Sequence, residues 1–121
     1  MRYLAVIALI IFAFANQGCL YDKPVPLATC DTTGIITYSG VVTPILTANC
    51  YRCHSRPNAP ANANGIVLDD YTSLKKVVPQ PLIDALQHTG TVVPMPKDGI
   101  MLDACTIEKI KKWIAQGALN N

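Results

Sequence analysis

A Cys-x-x-Cys-His segment at residues 50–54 is the most sharply defined chemical motif of the chain. Cys50 and Cys53 stand three residues apart, so on one helical turn their thiols could add to the two vinyl groups of a haem. His54 follows directly and would place its imidazole beneath the iron as the proximal axial ligand. The motif therefore predicts one covalently attached haem c, held by Cys50, Cys53 and His54.

Three other uses of the two cysteines are open at this point. A thioredoxin-like redox pair is typical of a βαβ pattern, which the sequence lacks. Half of a four-ligand zinc site needs a second Cys/His pair at short spacing, and Cys105 with His88 does not supply one. A structural disulfide between Cys50 and Cys53 would leave His54 without a role. Haem attachment is therefore the favoured interpretation.

The second axial ligand of the iron would separate an electron carrier from a gas-binding protein or a peroxidase. Met95 lies between Pro94 and Pro96, and these two prolines stiffen the loop that would hold its thioether sulfur over the iron. The alternatives are Met101, His88 and an open site. We expect His54 and Met95 to be the two iron ligands.

The other three cysteines are assigned from their position in the chain and from the compartment that an exported protein reaches. Cys19 follows Gly18 at the end of an apolar leader, which resembles the lipidation site of a bacterial lipoprotein. Cys30 and Cys105 then remain, and in an oxidising compartment two such thiols pair. The sequence therefore predicts lipidation at Cys19 and a disulfide between Cys30 and Cys105.

The first eighteen residues have the pattern of a secretory signal peptide, with Arg2 before an apolar run from Tyr3 to Ala15. As a helix that run would measure roughly 20 Å, short of the roughly 30 Å of a bilayer core. Cleavage after Ala15 is the alternative to lipidation at Cys19. We expect a periplasmic or envelope-facing protein, anchored to the membrane through the lipid on Cys19.

The rest of the chain divides into an extended tether at 19–35 and a domain at 36–121. Apolar residues at helical spacing predict a short helix capped by Ser39 and ending near Asn49, directly before the motif. Further helices are expected from Asp69 or Asp70 to Val77 and from Leu82 to His88. The last is expected to begin after Asp103 and to end at Gly117, with Trp113 in the core. Residues 55–65 and 91–100 contain too many Pro, Gly and Asn residues for regular structure, so we expect loops there.

The net charge of the chain argues against a nucleic-acid partner. The chain has 121 residues and a net charge of +2, and Arg2 is the only charged residue of its leader. A nucleic-acid-binding protein needs a larger basic surplus, so no nucleic-acid partner is expected. Lysines that could steer an acidic redox partner stand at positions 75, 76, 109, 111 and 112, although such residues are more often a solvated face.

The order of these parts resembles that of a small class I cytochrome c over roughly residues 36–119: a helix before the Cys50–His54 motif, a Met95-Pro96 loop and a last helix with Trp113. The segments 30–33, 64–69 and 110–114 are similar to those of single-haem lipoprotein cytochromes of Bacteroidetes and planctomycete type. The resemblance implies three to five short helices wrapped around one haem. It also implies that the first and last helices cross near the haem edge.

These observations predict a monomeric electron carrier that exchanges electrons with redox protein partners. The alternative is a haem enzyme or sensor whose open distal face binds peroxide, oxygen, CO or NO. The sequence shows no arrangement of nucleophile, base and distal acid, so the electron carrier is favoured over an enzyme.

Overall fold

The computed structural model describes residues 30–97 and 99–121, and this part of the chain is mainly helical. A π-helical turn at Tyr38–Val42 runs directly into the first α-helix, and no β-strand is formed among the described residues. The α-helices are α1 (Thr43–Asn49), α2 (Tyr51–His54), α3 (Ala59–Asn62), α4 (Tyr71–Lys75), α5 (Gln80–Gln87) and α6 (Ala104–Ala115).

A mainly α domain is thus confirmed, but the predicted count of three to five helices is too low. The excess comes from α2 and α3, which are single turns of four residues each. Helix α3 lies inside segment 55–65, where the sequence predicts a loop. Its Pro60 stands in the first helical turn, where a proline removes no intrahelical hydrogen bond, so the helix tolerates it.

Several predictions concern residues outside the described part of the chain. They are the signal peptide at 1–18, cleavage after Ala15, lipidation of Cys19 and most of the tether at 19–35. Within residues 30–97 and 99–121, no helix has both the length and the apolar character needed to cross a membrane.

The first helical segment begins one residue earlier than its predicted cap. The Oγ1 atom of Thr37 accepts a hydrogen bond from the backbone N–H of Gly40 at 3.2 Å, so Thr37 is the N-cap and the prediction of Ser39 is wrong. Because the helical segment starts at Tyr38, the residue that can cap it is the one before. Val42 is the fully buried residue of this turn.

Two aspartates cap later helices as the sequence predicts. Asp70 accepts a hydrogen bond from the backbone N–H of Ser73 at 2.8 Å, and α4 follows it. Asp103 accepts one from the backbone N–H of Thr106 at 3.0 Å at the start of α6. The hydroxyl of Thr106 also donates to Asp103, at 2.6 Å, and this bond is the main cause that lowers the pKa of that carboxyl group, followed by the backbone bond. For Asp70 the backbone bond from Ser73 is the main cause of a lowered pKa, and all these bonds favour the ionised form.

Trp113 of α6 lies at the centre of the core and is fully buried. Its indole N–H donates to the carbonyl oxygen of Leu119 at 2.9 Å, so the polar end of the ring is satisfied. The ring of Tyr38 stacks on it with the centroids 5.8 Å apart. This contact joins the π-helical turn to the last helix. Among the described residues, Val42, Leu46, Leu74 and Ile110 are also large and fully buried.

Hydrogen bonds donated by backbone N–H groups join the beginning and the end of the domain. The N–H of Ile36 donates to the side-chain oxygen of Gln116 at 3.0 Å. The N–H groups of Tyr38 and Ser39 donate to the side-chain and backbone oxygens of Asn121, at 2.9 and 2.8 Å. The start of the helical region is therefore held against the segment that follows α6.

A disulfide between Cys30 and Cys105 adds a covalent link at the same place. Their Cα atoms are 5.2 Å apart across a sequence separation of 75 residues. Cys105 lies in the first turn of α6, so the bond ties the N-terminal end of the described chain to the last helix.

We predict that replacing both cysteines, Cys30→Ser with Cys105→Ser, lowers the free energy of unfolding by about 4 kcal/mol, because the open chain gains entropy when it unfolds. Urea unfolding of the native and the doubly substituted protein measures the difference. A reductant should reproduce the loss in the native protein and leave the double variant unchanged. Equal stability of the two oxidised proteins would contradict the prediction.

Candidate functional site

A cavity of about 450 Å³ brings together three of the residues that the sequence predicts to bind a cofactor. Cys50, His54 and Met95 all line it, although Met95 is far from the other two in the sequence. This volume falls within the roughly 300–1,000 Å³ of ordinary cofactor pockets. Apolar side chains form much of the remaining wall, among them Leu68, Val77, Leu82, Leu86, Val92 and Leu102.

The imidazole of His54 is held in one orientation by the backbone. Its Nδ1 atom lies 2.9 Å from the carbonyl oxygen of Ile66, and because a carbonyl only accepts, Nδ1 carries the proton. The Nε2 atom of the neutral ring then keeps its lone pair. Histidines that bind metals are typically fixed in this way through the nitrogen that does not bind. His54 is only 9% exposed, so its surroundings also restrict the ring.

The two cysteines of the motif lie on either side of the start of α2. Cys50 ends α1, where its backbone N–H donates to the carbonyl of Leu46 at 2.7 Å. Cys53 lies within α2, and its N–H donates to the carbonyl of Cys50 at 3.1 Å. Both are half-buried free thiols, so the structure contains no disulfide within the motif. Burial raises the pKa of the Cys50 thiol to about 11, so at neutral pH this thiol is protonated.

Met95 lines the cavity, whereas the two alternative ligands, Met101 and His88, do not. Met101 is 47% exposed and is not among the residues that line the cavity. His88 is exposed and also lies outside the lining, with its Nε2 atom 3.1 Å from the backbone carbonyl of Met95. Of the three, only Met95 combines a metal-binding atom with a place in the cavity wall.

A metal site made only of His, Cys, Asp or Glu is not present in the described ranges. Across residues 30–97 and 99–121, no three such side chains are grouped so that they could hold an ion. An iron held by one imidazole and one thioether needs no such group, because its other ligands belong to the porphyrin.

Two parts of the site were not predicted as functional from the sequence. One is the carbonyl of Ile66, a backbone group whose contact cannot be predicted from residue type. The other is the turn at Asn64 and Gly65, which both have positive φ angles, +50° and +77°. The Asn-Gly pair is a turn signal, and it could have shown that the chain reverses here. This turn directly precedes Ile66 and thus positions the carbonyl that fixes His54.

Comparison with known proteins gives no assignment. No family model matches the chain, and neither the curated proteins nor the solved structures include a significant match. The interpretation of the site therefore depends on its own residues and their geometry.

We predict that Gly65→Ala destabilises the protein by about 1 kcal/mol, because an L side chain is strained at a positive φ. Gly34→Ala is the matched control. A Cβ atom added at either position meets no atom within 4 Å, but only Gly65 has a positive φ. Urea unfolding of the two variants should show a loss for Gly65→Ala alone. Equal stability of the two variants would show that the turn tolerates a side chain.

Proposed function

We propose that this chain is a single-haem c-type cytochrome that transfers electrons, with His54 and Met95 as the axial ligands. The observation that carries the proposal is that a preoriented imidazole and a thioether from distant parts of the sequence line one largely apolar cavity. Cys50 and Cys53 would hold the haem covalently through its two vinyl groups. When bound, the haem supplies an iron that alternates between ferric and ferrous states.

Three features of the cavity residues are compatible with a bound haem. The proton on Nδ1 of His54 leaves Nε2 free to bind iron. Cys50 and Cys53 are both free thiols, and Cys50 lines the cavity beside His54. The mostly apolar walls suit the body of a porphyrin and exclude water from its faces.

The same residues would set the direction of the reduction potential. A thioether ligand such as Met95 and an apolar cavity both disfavour the extra positive charge of ferric iron. The hydrogen bond from His54 to the Ile66 carbonyl acts in the opposite sense, because it makes the imidazole a stronger donor to the iron. We expect the first two effects to be larger, which gives a comparatively high potential.

Contact with a redox partner requires an accessible edge of the cavity. Ile66 and Val93 both line the cavity, and they are 43% and 56% exposed. Lys97 is also exposed and lines the cavity, whereas the lysines at 75, 76, 109, 111 and 112 do not. Among the lysines of the described residues, Lys97 is therefore the one placed at the cavity edge, where a partner protein could receive or deliver an electron.

The proposal includes export of the protein and anchoring through Cys19. The disulfide between Cys30 and Cys105 supports an oxidising compartment, because such bonds persist outside the cytosol. Covalent haem attachment suits the same location, since it retains the cofactor outside the cell. The pattern of residues 1–19 supplies the remaining support.

Covalent attachment is tested by expressing the protein with a cytochrome maturation system and staining a denaturing gel for haem. We predict a stained band for the native protein and none for the double variant Cys50→Ala with Cys53→Ala. Cys30→Ser with Cys105→Ser is the matched control and should keep the stain, because it also removes two cysteines but none from the motif. An unstained native protein would contradict the proposal.

Axial ligation is tested by the weak near-infrared absorption of a methionine sulfur bound to ferric haem. We predict that Met95→Ala abolishes this band and lowers the reduction potential, whereas Met101→Ala leaves both unchanged. The reduced native protein should bind CO slowly, and the Met95→Ala variant rapidly, because its sixth position is open. A native protein without the band, or one that binds CO rapidly, would favour a ligand-binding haem protein instead.

A further inference from the structure

Both backbone polar groups of Met95 are hydrogen-bonded to the C-terminal end of α5. Its N–H donates to the carbonyl of Ala85 at 2.9 Å, and its carbonyl lies 3.1 Å from Nε2 of His88. Because the carbonyl can only accept, Nε2 of His88 is the donor. Pro94 and Pro96 have no backbone N–H, so Met95 carries the only backbone donor of the three residues. Both the N–H and the carbonyl of Met95 therefore attach the loop to the C-terminal end of α5.

The left-handed backbone conformation of His88 does not by itself explain why histidine occupies this position. His88 ends α5 with φ +55° and ψ +41°, the left-handed region. Glycine and asparagine are the residues that usually end helices in this conformation. Histidine meets the backbone requirement less easily, but its ring reaches the carbonyl of Met95. The side-chain contact, rather than the backbone, is thus the feature that distinguishes histidine at this position.

We propose that His88 is a positioning residue that holds the backbone of Met95 so that its sulfur stays directed at the iron. The inference rests on the proposed ligation by His54 and Met95. Fixing the carbonyl of Met95 limits rotation of the backbone that carries the thioether. Less freedom then has to be lost when the sulfur binds, which strengthens it against competing ligands. His88 acts only through Met95, because its own ring is exposed and lies outside the cavity lining.

Replacing His88 by asparagine or by glutamine in the haem-loaded protein distinguishes positioning of Met95 from a helix-capping role. His88→Asn suits the left-handed backbone better than histidine does, but its N–H donor is on a shorter side chain. His88→Gln has a similar amide donor on a side chain one methylene longer, so it can restore the bond. Imidazole is titrated into the ferric native protein and both variants, and the near-infrared sulfur–iron band reports displacement of Met95.

We expect imidazole to displace Met95 from the His88→Asn variant at a concentration roughly two- to tenfold lower than from the native protein, the range that one net hydrogen bond supplies. The His88→Gln variant should stay close to the native value. Urea unfolding should show that His88→Asn unfolds cooperatively with a stability close to that of the native protein, because the better fit of asparagine to the left-handed backbone offsets the lost hydrogen bond. This result separates loss of positioning from loss of fold.

Each other outcome overturns a defined part of the argument. If the native protein shows the band and His88→Asn binds imidazole as the native protein does, the positioning role is wrong and the proposed function stands. If His88→Gln loses Met95 as readily as His88→Asn, the hydrogen bond is not the basis of the effect. If the native protein lacks the band, both the ligation and the positioning role are wrong.

Discussion

The hydrogen bond between the imidazole of His54 and the carbonyl of Ile66 is the constraint on which the candidate site depends. It decides which ring nitrogen carries the proton and which way the other one faces. The carbonyl of His54 also accepts a hydrogen bond from the N–H of Leu68 at 2.8 Å, so side chain and backbone are bound to the same short segment. This double attachment makes α2, a helix of one turn, part of a larger rigid unit.

The rest of the fold can be understood as support for the two walls of the cavity. One wall carries Cys50 and His54, and it is continuous with α1 and the core around Trp113. The other carries Met95, whose backbone is bound to α5. Leu82 and Leu86 of α5 belong both to the core and to the cavity lining, so packing of the core also fixes the position of the second wall.

Much of this arrangement could be predicted from residue types, and the remainder depends on backbone geometry. The aspartate caps of α4 and α6 and the buried Trp113 follow from local patterns that need no long-range information. The motif at 50–54 predicts haem attachment from its spacing alone. By contrast, the sequence does not predict the one-turn helix α3, because the prolines and asparagines of segment 55–65 favour a loop when they are considered residue by residue. The supporting contacts of Ile66 and His88 could not be predicted, since both involve backbone carbonyls brought close by tertiary structure.

The disulfide also determines how the domain responds to mechanical load. Tension applied to the chain on the N-terminal side of Cys30 passes through the covalent bond to Cys105 and enters α6 directly. All residues that line the cavity, from Asn49 to Leu102, lie within the loop that this bond closes. A force between an N-terminal attachment point and the C-terminal end of the chain would therefore act on α6 and bypass the cavity. The candidate site lies outside the load path, although it occupies the middle of the sequence.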